Sequence, residues 1–145
     1  MEVVMESEIH EIVDRETRAW DEQNIDLLMS IFHPDAVWPW PPTSKDHDPM
    51  KWELVLGRFN YERWSSGWIN LFNTHELIHN KRTTKRIQVS KEGDGALAVV
   101  DIDTLWRNKE TKQEMNWKGR TCKIYTQMKD EWKFIFQTGV LDYDG

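Results

Sequence analysis

The hydrophobic pattern changes period at Asn73, and that switch constrains the chain more than any other feature. Before it, apolar residues recur at helical spacing; after it, they run in long stretches of strand character. Residues 75–90, 96–107, 115–127 and 132–142 read as strands, parted by Gly93-Asp94-Gly95, by Asn108 to Lys112, and by Lys129-Asp130. The expected fold class is α+β: three N-terminal helices laid on one face of an antiparallel sheet.

In the helical half, residues 7–23 place Ile9, Ile12, Val13, Ala19 and Trp20 on one stripe, with Ser7 as a candidate N-cap and acids in the first turn. Asn24 caps a second, short helix through Leu27, Leu28, Ile31 and Phe32, which His33-Pro34 stops. Ala36-Val37-Trp38 reads as a short strand, and residues 39–51, with four of the five prolines, as an irregular loop. A third helical region carries Trp52, Val55, Leu56 and Phe59, then Tyr61, Trp64, Trp68, Leu71 and Phe72, with Gly57 marking a break.

A length of 145 residues suits one domain over 1–145 with a core needing no covalent staples. Cys122 is the sole cysteine, which excludes an intramolecular disulfide and a Cys-rich zinc site and suits a reducing, cytoplasmic setting. Residues 1–14 carry acids where a signal peptide would be basic and then apolar. No stretch approaches the ~20 apolar residues of a membrane span. With 19 basic against 25 acidic residues, a net charge of -6 argues against nucleic acid as a partner. The basic run Lys81 to Arg86 would divide its charges between two faces of a strand. Nine tryptophans exceed what a small core normally uses, so some are expected to line a pocket or a subunit interface; the alternative is that they fill the core.

The run Asn24 to Trp38, with its Phe32-His33-Pro34-Asp35-Ala36 entry to a strand, resembles the nuclear transport factor 2-like superfamily, in its SnoaL-like and ketosteroid-isomerase-like branches. Gly57-Arg58 before the Trp64/Trp68 helix, Gly93-Asp94-Gly95-Ala96, and Asp130 to Ile135 extend the match over nearly the whole chain. The resemblance implies a strongly curved sheet wrapped round the long helix, a cone-shaped α+β barrel. It also implies an apolar pocket at the cone's mouth and homodimers through the outer face of the sheet. The superfamily hosts isomerases, dehydratases, ligand binders and assembly domains, so fold alone does not assign a function.

Ketosteroid-isomerase-like members use an aspartate base, a tyrosine and a protonated acid. Aligned from Phe32, Asp35 and Ala36, these positions fall at Trp40, near Glu16, and near Ile124 or its neighbours, so all three roles are missing and that mechanism is not expected. Asp35 and His33 are expected to serve the turn. Dehydratase-like members place histidines at the start of the long strands. His75 and His79 stand four apart, which on a regular strand puts them on one face as an acid and base.

By family parity, strand 96–107 turns Asp101 and Asp103 inward, where two neighbouring carboxylates would raise each other's pKa and could act as an acid–base pair. The competing arrangement has them outward, paired with Lys81, Arg120 or Lys123. The same parity places Arg120, Cys122 and Ile124 inward on the next strand, and Ile135, Gln137, Gly139 and Leu141 inward on the last. Cys122 is expected to be a small buried residue. No metal motif stands out, and no cofactor is expected.

The candidate catalytic set is therefore Asp101, Asp103 and His79. The candidate ligand-binding set is Trp38, Trp40, Arg58, Trp64, Trp68, His75, Arg120 and Gln137. Three functions compete: a cofactor-free acid–base enzyme (lyase, isomerase or hydrolase) on a small, largely apolar metabolite; a binding module, whose many tryptophans would suit a cationic ligand; and a dimeric scaffold.

Overall fold

The computed structural model describes residues 2–40, 48–138 and 140–142. Along the chain run α1 (Glu2–Glu22), α2 (Ile25–Met29), a single 3-10 turn (Pro49–Lys51), α3 (Tyr61–Thr74), β1 (His75–Val89), β2 (Gly95–Asn108), β3 (Glu114–Met128) and β4 (Glu131–Gln137). The strands form one antiparallel sheet in the order β1-β2-β3-β4. The architecture is α+β, as the period switch at Asn73 implied. α1 packs against β1, β2 and β4, so the sheet wraps it from one edge to the other.

Local chemistry sets the helix bounds. Asn24 Oδ1 accepts from Leu27 N at 3.1 Å and starts α2; Asn60 Oδ1 accepts from Arg63 N at 2.9 Å and starts α3. α1 begins at Glu2, so Ser7 lies inside the helix and does not cap it. The stripe Trp52 to Phe59 is not helical. Its carbonyls serve side chains of α3 instead: Leu56 O accepts from Arg63 Nε at 2.7 Å and from Trp64 Nε1 at 3.1 Å, and Arg58 O accepts from Arg63 Nη2 at 2.6 Å. Gly57, at φ +65°, turns the chain between them.

The expected strand Ala36-Val37-Trp38 does not form a ladder. The segment docks along β4, with His33 N donating to Phe134 O at 2.8 Å and Val37 N to Ile135 O at 3.0 Å. Residues 41–47 of the proline-rich loop lie outside the described residues. β4 ends at Gln137, short of the expected 142, and the chain then returns to β3, where Arg120 N donates to Leu141 O at 2.7 Å and Leu141 N to Arg120 O at 2.9 Å. This crossing needs Gly119: its φ is +147°, and a Cβ there would stand 2.6 Å from Leu141 O.

The facing of β2 corrects the parity expected from the sequence. Ala96, Ala98, Val100, Ile102, Thr104 and Trp106 are buried against the helices, and Asp101 and Asp103 lie on the outer face. On β3 the inward residues are Trp117, Thr121, Lys123 and Tyr125, so Arg120, Cys122 and Ile124 also point outward. The reason is electrostatic. The Asp face meets Arg120 and Lys118 across the β2–β3 register, where water screens what remains unpaired, and the uncharged face takes the core.

On β4, Trp132 and Phe134 are buried. A register slip, with Ile124 opposite Phe136 but Tyr125 opposite Phe134, then brings Gln137 inward and leaves Ile135 outside. Gly139 lies outside the described residues, and Leu141 is half-buried.

The core is aromatic. Trp20, fully buried on α1, meets Trp68 edge-on at 5.1 Å between ring centroids, Trp117 at 5.7 Å, Phe72 at 5.9 Å and Trp106 at 6.4 Å. Edge-to-face geometry of this kind suits the ring quadrupoles.

Candidate functional site: a buried ion cluster behind a tryptophan-walled cavity

Glu16 sits on the apolar stripe of α1, one turn before Trp20, and is wholly buried. Its Oε2 accepts from Trp20 Nε1 at 3.0 Å, from Arg82 Nη1 at 2.9 Å and from Lys123 Nζ at 3.2 Å, and Lys123 Nζ also lies 3.1 Å from Oε1. Lys123 donates to Gln137 Oε1 at 2.8 Å as well. Four elements, α1, β1, β3 and the end of β4, thus meet in one sealed polar cluster with two cations and one carboxylate. Burial pushes the Glu16 carboxyl up, but Lys123 and Arg82 overcome it and hold the pKa at about 2. Burial pushes the Lys123 ammonium down to about 8, against the pull of Glu16. Tyr125 lies in the same interior, its pKa raised well above the ordinary value by burial and by Glu16, and its hydroxyl has no hydrogen-bond partner among the described residues.

Lys123 Nζ lies 5.7 Å from the ring centroid of Trp38, and beyond that indole is a cavity of about 200 Å³. Trp38, Trp40, Trp68 and Trp117 wall it, Leu71 and Met115 add to it from α3 and β3, and Val55 and Leu56 border it from the irregular loop. No lining residue among the described residues is charged. The indole N–H groups of Trp38, Trp68 and Trp117 are buried and have no hydrogen-bond partner among the described residues.

Of the residues expected to bind a ligand, Trp38, Trp40 and Trp68 come together at the cavity, and Gln137 joins the buried cluster. Trp64 is fully buried core, its N–H given to the Leu56 carbonyl. Arg58 is exposed and pairs with Asp35. Arg120 is on the outer face, 2.6 Å from Asp101 through Nε.

The expected catalytic set is also on the outer face. His79 Nε2 lies 3.0 Å from Asp103 Oδ1, which Asn116 Nδ2 also reaches at 3.0 Å. His75 does not share that face: Leu77 pairs with Trp106 and His79 with Leu105, so the register slips at Ile78 and inverts the parity between the two histidines. His75 Nδ1 lies 2.8 Å from Thr74 Oγ1 at the end of α3. The aspartates do not titrate as expected of an acid–base pair. The Arg120 hydrogen bond lowers the pKa of Asp101, and those from Asn116 and His79 lower that of Asp103.

Glu16 and Lys123 were missed, although both left signals. Glu16 falls seven residues after Ile9 on the apolar stripe, and Lys123 has the parity of Tyr125. Among the described residues, no three His, Cys, Asp or Glu side chains converge as a metal site would need.

The structure is similar to that of a nuclear transport factor 2-like superfamily protein from Salmonella enterica serovar Typhimurium (TM-score 0.68, 14% identity, covering 98% of this chain and 94% of that one). The fold is that of the nuclear transport factor 2-like superfamily. A ketosteroid isomerase-like protein from Erwinia carotovora atroseptica has a similar structure, at TM-score 0.66 and 13% identity, covering 90% of this chain and 91% of that one. So does the hexachlorocyclohexane dehydrochlorinase from Novosphingobium barchaimii, at TM-score 0.67 and 18% identity, covering 97% and 88%. No protein-family model and no curated protein matches the sequence. No helix among the described residues is long and apolar enough to cross a membrane.

Proposed function

We propose that the protein holds a small, largely apolar molecule in the tryptophan-walled cavity. The observation that carries this reading is the cavity itself: about 200 Å³ walled by four indoles and bordered by Val55 and Leu56, with no charged side chain on its lining among the described residues. That volume suits a single ring, since an engineered apolar cavity of about 150 Å³ takes up benzene. Structural likeness to a dehydrochlorinase and to a ketosteroid isomerase-like protein supports a small-molecule site in this fold. Tryptophan fluorescence and calorimetry with ethylbenzene and acetophenone test it. Saturable binding by the native protein, lost in a folded Leu71→Trp variant, is the expected result. Absence of binding by either compound would overturn it.

A second reading, acid–base catalysis without a cofactor, rests on one observation: a carboxylate and an amine are sealed together one indole away from the cavity. In this reading the Trp38 indole swings aside so that Lys123, with its lowered pKa, reaches the cavity and moves the proton, while Glu16 steadies the charge. Asp101, Asp103 and His79 take no part, because they face away. Exchange of acetophenone methyl protons in deuterated buffer, followed by NMR, tests it. The expected exchange exceeds that of buffer and vanishes in Lys123→Met; exchange no faster than buffer refutes it.

The same proposal includes a homodimer through the outer face of the sheet, where Val99 lies opposite Cys122 and Leu97 opposite Ile124, beside a partly exposed Phe136. A reducing, cytoplasmic setting goes with it.

A further inference from the structure

We propose that Gly67 sets the size of the occupant: the gap left by its missing side chain takes a short apolar arm, so the cavity prefers alkyl-substituted single rings to bare ones. The inference rests on the reading of the cavity as a ligand site and deepens it by naming a specificity-determining residue.

Gly67 stands in the middle of α3, between the buried Trp64 and Trp68, and lines the cavity itself. Glycine inside a helix is destabilising relative to alanine, so its presence there calls for a reason. The backbone supplies none, because Gly57, Gly93 and Gly119 take positive φ and Gly67 does not. Crowding supplies none either. Apart from its chain neighbours and its own helix backbone, a Cβ at Gly67 would meet one atom among the described residues, Leu56 Cδ2 at 3.4 Å. That is van der Waals contact, whereas a Cβ at Gly119 would stand 2.6 Å from a carbonyl oxygen. Gly67 and Leu56 both line the cavity, so the space a side chain would fill belongs to it. The size agrees: the cavity holds about 200 Å³, more than the roughly 150 Å³ that takes up benzene.

The neighbours one turn away define the gap. Leu71 lies on the same helix face and fills its own part of the wall, which confines the space to the turn of Gly67. Arg63, one turn back, donates to Leu56 O at 2.7 Å and to Arg58 O at 2.6 Å. Trp64 Nε1 also donates to Leu56 O, at 3.1 Å, so the loop is held in place and does not sag over the glycine. An arm reaching this turn lies against helix backbone and the Leu56 side chain, while its ring keeps to the indoles.

In a competing arrangement the glycine serves only to seat Leu56. Calorimetry with benzene, ethylbenzene and propylbenzene, on native protein, Gly67→Ala and Gly67→Leu, separates the two. Burying one methylene is worth about fourfold in affinity, so native protein should bind propylbenzene about tenfold or more tighter than benzene. Gly67→Ala should shrink that preference severalfold while raising the unfolding midpoint of the free protein, and Gly67→Leu should abolish the preference. Nuclear Overhauser effects from the propyl methyl to the Gly67 α-protons, measured on native protein, report the arm's place without any variant. Equal affinities across the series in native protein, propyl contacts that miss Gly67, or a lowered midpoint in Gly67→Ala with the preference intact each overturn the role of Gly67 while the cavity remains a ligand site. Absence of binding by all three hydrocarbons removes the ligand site itself.

Discussion

Lys123 Nζ stands 3.1 Å from Glu16 Oε1 in a place where the two side chains are 2% and 0% exposed. A lone buried charge is far more costly than a paired one. Glu16→Gln leaves both Arg82 and Lys123 without their carboxylate and should destabilise the protein by about 3–5 kcal/mol in urea unfolding. Lys123→Met should cost less, because Arg82 still pairs with Glu16 at 2.9 Å. Equal losses from the two variants would mean that Arg82 contributes nothing.

The pH dependence of stability follows with opposite causes at the two ends. Glu16 has a folded-state pKa depressed from 4.5 to about 2, so its contribution is complete above the ordinary value and is lost as pH falls through this window. Lys123 is depressed from 10.5 to about 8, so between these values the unfolded chain binds more protons and this group makes stability rise with pH. Melting temperature measured against pH should show both slopes, with the alkaline rise absent in Lys123→Met.

Asp101→Asn and Asp103→Asn act on the outer face. Each should change stability by no more than about 1 kcal/mol, as befits half-exposed pairs, and should leave acetophenone affinity unchanged. A tenfold loss of affinity would restore these aspartates to the site.

Val99→Glu should convert a dimer to a monomer by light scattering, since it places a charge in the apolar strip beside Cys122. A monomeric native protein at micromolar concentration would remove the homodimer proposal.

Gly119→Ala should destabilise by about 1–3 kcal/mol, because a methyl group there meets Leu141 O at 2.6 Å and a φ of +147° is strained for alanine. The readout is the unfolding midpoint together with amide exchange at Leu141.

Much of this fold was legible because its punctuation is local. Asn24 caps its helix through its own side chain, and Asn108, whose Oδ1 accepts from Glu110 N and Thr111 N, shapes the turn after β2. What was not legible depends on counting. A face assignment carried along β1 fails at Ile78, where the register slips, and one carried along β4 fails near Ile135. For β2, counting by family parity put Asp101 and Asp103 inside, while a charge criterion would have put them outside, opposite Arg120 and Lys118. The stripe Trp52 to Phe59 has helical spacing, but its carbonyls are claimed by Arg63 and Trp64 from the next element, which no local pattern records.

The carboxylate of Glu16 precedes its amine by 107 residues, and the glutamine that completes the cluster comes later still. During synthesis, α1 emerges from the ribosome with an acid on its greasy stripe and no cation to neutralise it. Arg82 on β1 is the first partner to arrive, and the cluster that buries the helix is complete only once β3 has been made. Assembly of the interior waits on long-range closure, which slows it, and a nascent chain stalled before Lys123 should still be open to proteases along α1.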